Sequence, residues 1–194
     1  MTLSRQDFRQ LIRQQRQQLS DDFQRQAGFD LCQQFFRLPE VLSAQHIALY
    51  LSADGEVDTA PLIEKLWQSG KHVYLPVIHP FSKGHLLFLH YTPDSPMVLN
   101  KYQIAEPKLD QTKIIPAQSL DIICTPLVGF DSSGHRLGMG GGYYDRTLAP
   151  WFNTGQGPKP IGLAHDCQHV EALPIESWDV PLPKIVTPTK IWQW

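Results

Sequence analysis

The order of apolar runs between residues 46 and 78 constrains this chain more than any other feature. "HIALYLS" (46–52) and "HVYLPVI" (72–78) are short apolar runs bounded by turn residues, and each reads as a buried strand. The stretch between them, "ADGEVDTAPLIEKLWQSGK", carries helix signals. Asp58 or Thr59 can cap a helix, Pro61 is tolerated in its first turn, and Gly70 can end it. Strand, helix and strand within about 33 residues make a βαβ unit. Such a unit implies a parallel sheet with a right-handed crossover, because parallel strands cannot be joined by a tight turn.

The rest of the chain extends that frame. In residues 4–19, Phe8, Leu11, Ile12 and Leu19 recur at helical spacing, and Ser4 can cap the start with Asp7 three residues on. A second helix is expected from Asp21 or Asp22 to Arg37, with Phe23, Ala27, Leu31, Phe35 and Leu38 buried and Pro39 ending it. "HLLFLHY" (85–91) follows the turn "FSKG" as another strand. Residues 92–118, rich in proline, read as a long excursion of little regular structure, and such loops are often functional. "DIICTPLVGF" (121–130) is the most apolar stretch and reads as a central strand, while "KPIGLAH" and "PKIVTP" supply two late ones. The expected fold is α/β: a single three-layer domain over residues 1–194, with a mostly parallel central sheet flanked by helices. A chain of this length buries roughly 70% of the surface it exposes when unfolded, enough for a full core.

Charge narrows the function classes. A formal net charge of −2 gives no electrostatic case for nucleic acid or a membrane surface. No apolar run approaches the roughly 20 residues that span a bilayer. The polar, Gln/Arg-rich start lacks the apolar core of a signal peptide. Cys32, Cys124 and Cys167 are scattered and odd in number, which fits a reduced, cytoplasmic protein, with Cys124 a packed hydrophobe. The histidines show no metal-binding spacing, and three of the five tryptophans, Trp178, Trp192 and Trp194, suggest a pinned C-terminal segment.

The chemistry concentrates in "GMGGGYYDR" (138–146), which follows the apolar run and opens a helix at "YYDRTLAPWF". Ligands of open α/β sheets bind beyond the carboxyl ends of the strands. Gly138, Gly140, Gly141 and Gly142 can turn successive N–H groups into one concavity at a helix N-terminus, a cradle for phosphate. Arg136 can add a charge-assisted contact, and Asp145 sits where a carboxylate could hold Mg²⁺ directly or through water. The loop is neither a P-loop nor a dinucleotide fingerprint, since Tyr143 stands where the third glycine of GxGxxG would be. A flexible strand-to-helix turn remains the plain alternative.

The longer string "PLVGFDSSGHRLGMGGGYYDRTL" (126–148) resembles the signature of the 5-formyltetrahydrofolate cyclo-ligase family. "RQDFRQLIRQQRQQLS" resembles that family's basic first helix, "LYLSADGEVDTAPLI" its substrate segment and "WDVPLPKIVTP" its C-terminal strand, so the resemblance covers nearly the whole chain. It implies ATP- and Mg²⁺-dependent closure of 5-formyltetrahydrofolate to 5,10-methenyltetrahydrofolate, with release of ADP and phosphate. It also implies small-molecule partners only, with no nucleic acid and no membrane, and a monomer is expected.

Carried over position by position, the resemblance places ATP against Arg5, Arg9 and the run Arg136, Leu137, Gly138, Met139, Gly140, Gly141, Gly142, Tyr143 and Tyr144. It places the folate against Leu51, Glu56 and residues 139–143 (Met139, Gly140, Gly141, Gly142 and Tyr143), with Glu106 a further acid that could reach it. Arg136 and Tyr143 would support the transition state without a covalent nucleophile, and Asp145 and Asp179 would hold the metal. Some relatives carry a basic residue where this chain has Met139 or Gly141, which leaves Arg136 and the N-terminal arginines to supply more of the positive charge. Arg13 and Arg16 lie on the same helix face but read as solvated. Two other readings stay open: another small-molecule kinase or ATP-dependent ligase on this scaffold, and a nucleotide- or folate-binding regulator without turnover.

Overall fold

The computed structural model describes residues 3–194. Its elements in chain order are α1 (Arg5–Gln17), α2 (Asp21–Phe35), α3 (Pro39–Ser43), β1 (His46–Ala48), α4 (Ala60–Gln68), β2 (His72–Ile78) and β3 (Leu86–Tyr91). There follow β4 (Met97–Leu99), β5 (Ala105–Pro107), β6 (Ile114–Ile115), β7 (Ile122–Thr125), β8 (Gly129–Asp131), β9 (Arg136–Leu137) and α5 (Tyr143–Thr154). The chain closes with β10 (Lys159–Leu163), β11 (His169–Val170), β12 (Lys184–Val186) and β13 (Ile191–Gln193).

Eight strands form one sheet in the order β13-β12-β10-β7-β1-β2-β3-β6. The five inner strands from β12 to β2 are all parallel. The edges are antiparallel: β13 returns on β12, and β3 and β6 fold back beside β2. The βαβ reading of residues 46–78 therefore holds, with β1 and β2 parallel in register His46↔His72. "HLLFLHY" instead forms a hairpin with β2 across the tight turn before it, as a short connection requires.

Period-two alternation sorts the strands between two cores. Ile47, Leu49, Val73, Leu75, Ile122 and Cys124 face the layer of α2 and α4, with Leu31, Phe35, Leu62 and Leu66. Ala48, Tyr74, Ile123 and Ile185 face the opposite layer, with Phe130 and Leu148 of α5. The sheet is thus covered on both faces, as an inner parallel sheet must be. Cys124 is fully buried within it and packs as a hydrophobe.

Four local expectations are corrected. The run 121–130 is two strands, broken at Pro126, so that β8 leaves the main sheet to pair with β9 and β11. α2 ends at Phe35, short of the expected Arg37, and Pro39 opens the short helix α3 at its first turn. Phe23 is exposed, because it lies at the first turn of α2 beyond the edge of the core. The excursion 92–118 contains the β4–β5 hairpin and the edge strand β6. No helix among the described residues is long and apolar enough to cross a membrane.

The connections fix where a ligand can sit. From β1 the chain steps to β2 on one side and later to β7 on the other, with α4 and α5 on opposite faces. The strand order reverses between β1 and β7, and the loops after their carboxyl ends diverge there, leaving a crevice.

Candidate active site

A cavity of about 1030 Å³ opens at that crevice. Its walls come from α1, the segment after β1, the end of β2, the β4–β5 hairpin, the glycine loop and the segment before β12. That volume reaches the upper end of the range for a drug-sized ligand.

Helix α1 forms the basic wall. Ser4 caps it in a reciprocal box with Asp7, as the sequence suggested. Its apolar stripe is narrower than expected: Ile12 is buried while Leu11 is exposed. Ile12 rests on Gly129, where an added Cβ would come within 2.5 Å of the Ile12 Cδ1. Glycine at this one position of β8 therefore lets α1 approach closely enough to aim its arginines into the cavity.

All four arginines, Arg5, Arg9, Arg13 and Arg16, line it. The solvated-face reading of Arg13 and Arg16 is overturned. Arg16 is 1% exposed, with Nη2 donating to Asp54 Oδ2 at 2.7 Å, Nε to the Asp54 carbonyl at 2.8 Å and Nη1 to the Leu127 carbonyl at 3.2 Å. Arg13 grips the same carboxylate through Nε and Nη2, at 2.6 and 3.0 Å, and Gln17 Nε2 donates to it as well. Arg13 first, then Arg16, pull the Asp54 carboxyl down to about 2. Asp54 holds φ +53°, a left-handed conformation that aspartate tolerates better than most residues. This Asp-Gly turn is thus a socket that fixes the far end of α1.

The near end of α1 meets the other loops. Arg5 is bidentate to Asp179, at 2.5 and 3.1 Å, and also donates to the Pro174 carbonyl. Arg9 Nε donates to the Gly138 carbonyl at 2.8 Å. Among the described residues Arg9 has no acidic partner, and burial followed by the neighbouring Arg5 lowers its pKa from the usual guanidinium value.

The glycine loop forms the next wall. Gly140 and Gly142 hold φ of +100° and +67°, which a side chain would oppose. Gly142 caps α5, so the helix N-terminus faces the cavity rim with Tyr143, Tyr144 and Asp145 in its first turn. Arg136 lies beneath, 6% exposed. Its Nη2 donates to Asp145 Oδ1 at 2.6 Å, while its Nε is buried without a partner. Burial lowers its pKa, opposed by Asp145. Asp145 thus reaches back across the loop, whereas its sequence neighbour Arg146 turns outward to the Gly141 and Gly84 carbonyls. Met139 is exposed at the rim. Leu137 is packed in the interior and does not line the cavity.

The remaining wall is largely apolar, with Leu51, Leu75, Ile78, Leu86 and Ile104. Two acids interrupt it. Glu56 Oε2 accepts the Ala53 N–H at 3.0 Å, and burial pushes its carboxyl up to about 7. Glu106 Oε2 accepts from the Ile78 N–H and Asn100 Nδ2, both at 3.2 Å.

The two acids expected at a metal differ. Asp145 lines the cavity with Oδ1 engaged by Arg136 and the Val180 N–H, while Oδ2 has no protein partner among the described residues. Asp179 commits both oxygens, to Arg5 and to the Glu176 N–H. No cluster of three or more His, Cys, Asp or Glu side chains among the described residues could enclose a metal ion.

Several lining residues were not singled out from the sequence. Asp54 had only the weak signal of an Asp-Gly turn. Tyr102 comes from the β4–β5 excursion, and its hydroxyl meets that of Tyr143 at 3.1 Å. The expectation that Trp178 pins the C-terminal segment is corrected: it is 67% exposed and lines the cavity, whereas Trp192 stacks on His169 and Trp194 Nε1 donates to the Ser132 carbonyl.

Comparison with known proteins agrees over this whole architecture. The model of the 5-formyltetrahydrofolate cyclo-ligase family matches residues 1–188. The 5-formyltetrahydrofolate cyclo-ligase of Escherichia coli (strain K12) is 53% identical over 186 residues, covering 95% of this chain and 100% of that one. Its namesake from Haemophilus influenzae is 52% identical over 181 residues, covering 93% and 96%. The solution structure of the 5,10-methenyltetrahydrofolate synthetase of Aquifex aeolicus superimposes with a TM-score of 0.83 at 27% identity, covering 97% of this chain and 92% of that one.

Proposed function

The chain belongs to the 5-formyltetrahydrofolate cyclo-ligase family, and from that premise we propose that it closes 5-formyltetrahydrofolate to 5,10-methenyltetrahydrofolate at the expense of ATP. In this reading it works as a monomeric, cytoplasmic enzyme of one domain. The observation that carries the proposal is the convergence, in one cavity, of an unpaired cation (Arg9), a glycine loop over a buried Arg136, and an isolated acid (Glu56) on an apolar wall.

The chemistry follows from that arrangement. A formamide oxygen leaves poorly, so N10 cannot displace it unaided. Transfer of the γ-phosphoryl group to the formyl oxygen releases ADP and makes an iminium phosphate. N10 then attacks the formyl carbon and gives up its proton to solvent, the C–O bond breaks, and phosphate leaves with the oxygen. This path calls for two substrates held in line and for charge stabilisation, and it needs no protein nucleophile. Arg9 and the loop N–H groups meet the phosphates. Arg136 lies where negative charge builds, and the Tyr143–Tyr102 pair closes the rim against water.

Asp145 suits Mg²⁺ because it lines the cavity with Oδ2 free of protein partners among the described residues, and Mg²⁺ characteristically takes one or two carboxylates, substrate phosphate oxygens and water. The ion would neutralise phosphate charge when bound. Asp179 does not suit that role while it holds Arg5, and it serves instead to position the arginine.

Glu56 would accept donor groups from the edge of the pterin, two side by side, which requires the carboxylate. With the carboxyl near 7, the ionised fraction falls about tenfold per pH unit below that value. The KM for the folate is therefore expected to rise roughly tenfold between pH 8 and pH 6. Glu56→Gln should raise KM and flatten the profile. A wild-type profile as flat as the variant's would remove Glu56 from the substrate.

Arg9→Ala is expected to raise the KM for ATP about tenfold, the scale of one lost charge-assisted hydrogen bond, with a smaller effect on the folate. Unchanged ATP kinetics would return α1 to a structural role. The activity itself is tested by mixing protein, 5-formyltetrahydrofolate, ATP and Mg²⁺ and following the near-ultraviolet band of the methenyl product. Growth that depends on ATP supports the proposal; no growth, with ATP still bound, would send the search to another acceptor.

A further inference from the structure

Beside the main cavity lies a second recess of about 460 Å³, lined by Lys83, Gly84, Lys101, Tyr102, Gly141, Tyr143 and Arg146. It shares Tyr102, Gly141 and Tyr143 with the main cavity, so the two meet at the glycine loop and the tyrosine pair. Three of its residues are cationic, and no acid lines it. Among the described residues Lys83, Lys101 and Arg146 are in no ion pair. Arg146 is held in place by carbonyl groups, through Nη1 to Gly141 at 2.8 Å and to Gly84 at 3.4 Å. Lys101 Nζ stands 5.0 Å from the centroid of the Tyr102 ring.

Three uncompensated cations in one recess of a chain whose net charge is −2 make a site for an anion. Resting on the function proposed above, we infer that this recess receives the carboxylates of the folate's glutamyl tail. The two substrates each carry an anionic part. The triphosphate has its partners in Arg5, Arg9 and Arg136, none of which lines the recess. The pterin and aryl groups are uncharged and suit the apolar wall with Glu56. What remains of the folate is a flexible group with two carboxylates, and it must leave the main cavity. The exit beside Tyr102 and Tyr143 leads past the lysines, and carboxylates there would find cations on both sides of the opening, from the turn after β2, the β4–β5 hairpin and α5. Exposed charge pairs are individually weak, so the recess contributes affinity and selection rather than catalysis.

The test compares two substrates in two proteins. One substrate is 5-formyltetrahydrofolate, and the other is its bis-amide, with the same length and a neutral tail. The proteins are wild type and Lys83→Ala/Lys101→Ala, both changes at exposed positions. For the wild type, the neutral tail is expected to raise KM about tenfold. The double variant should raise the KM for the acid substrate by a similar factor and leave the bis-amide within about twofold. Added salt should weaken only the pairing of wild type with the acid. Equal losses on both substrates, or no loss on either, would overturn the inference. A rise in the KM for ATP instead would assign the recess to phosphate. Failure of the wild type to form any methenyl product would strike the proposed function, which is a separate result.

Discussion

Arg136→Met is expected to lower kcat by roughly 10²–10³, the scale of removing one preorganised charge donor from a transition state. The argument is local. Arg136 lines the cavity and is almost fully buried, one of its donors is spent on Asp145, and its Nε finds no partner among the described residues. A buried donor left open is costly unless a ligand completes it. The loss should fall on kcat more than on either KM, because the charge it meets develops during phosphoryl transfer. Asp145→Ala should reduce turnover as well, and the double variant should lose less than the sum, since the pair acts as a unit. Single-turnover measurement of product formation checks this. A variant with unchanged kcat and a raised KM for ATP would make Arg136 a ground-state anchor.

Asp54→Ala is expected to destabilise the fold by about 3 kcal/mol, because it strands the buried Arg16 guanidinium without its counter-charge. For a chain of this size that lowers the melting temperature by roughly 6–12 °C. The same change frees Arg13 and Gln17 and loosens the seat of α1, so the KM for ATP should rise too. Asp22→Ala, which breaks the exposed pair with Arg25, should give no measurable shift. The Asp54 carboxyl lies well below its ordinary value, so the stability it supplies is present above the ordinary carboxylate range. It is lost as pH falls through about 2. Thermal unfolding of the two variants at neutral pH decides the matter. Equal stability would mean that the Leu127 and Asp54 carbonyls alone satisfy Arg16.

These outcomes bear on how a sequence shows its function. The glycine loop, Arg136 and Asp145 were legible because they lie within ten residues of one another, and strand, loop and helix follow in unbroken order. Glu56 was legible only through resemblance: alone it is an acid in a turn, and its raised pKa arises from neighbours that the fold supplies. Asp54, two residues earlier, was passed over because its partners are Arg13, Arg16 and Gln17, about 40 positions away. A separation of 174 positions hid the pairing of Arg5 with Asp179, an acid expected at the metal.

By itself the sequence determined the alternation of strands and helices, the two-sided burial of the inner strands, the capping box of α1 and the glycine turn that leads into α5. Each of these rests on periodicity or on turn chemistry within a few residues. Tertiary structure alone decided which charges are paired and which are free. It set α1 against Gly129, turned the β4–β5 hairpin over the rim, and left Arg9 and the lysine recess without acids among the described residues. Pairing of charges depends on distances of a few ångströms between segments far apart in the chain, and only packing sets those distances.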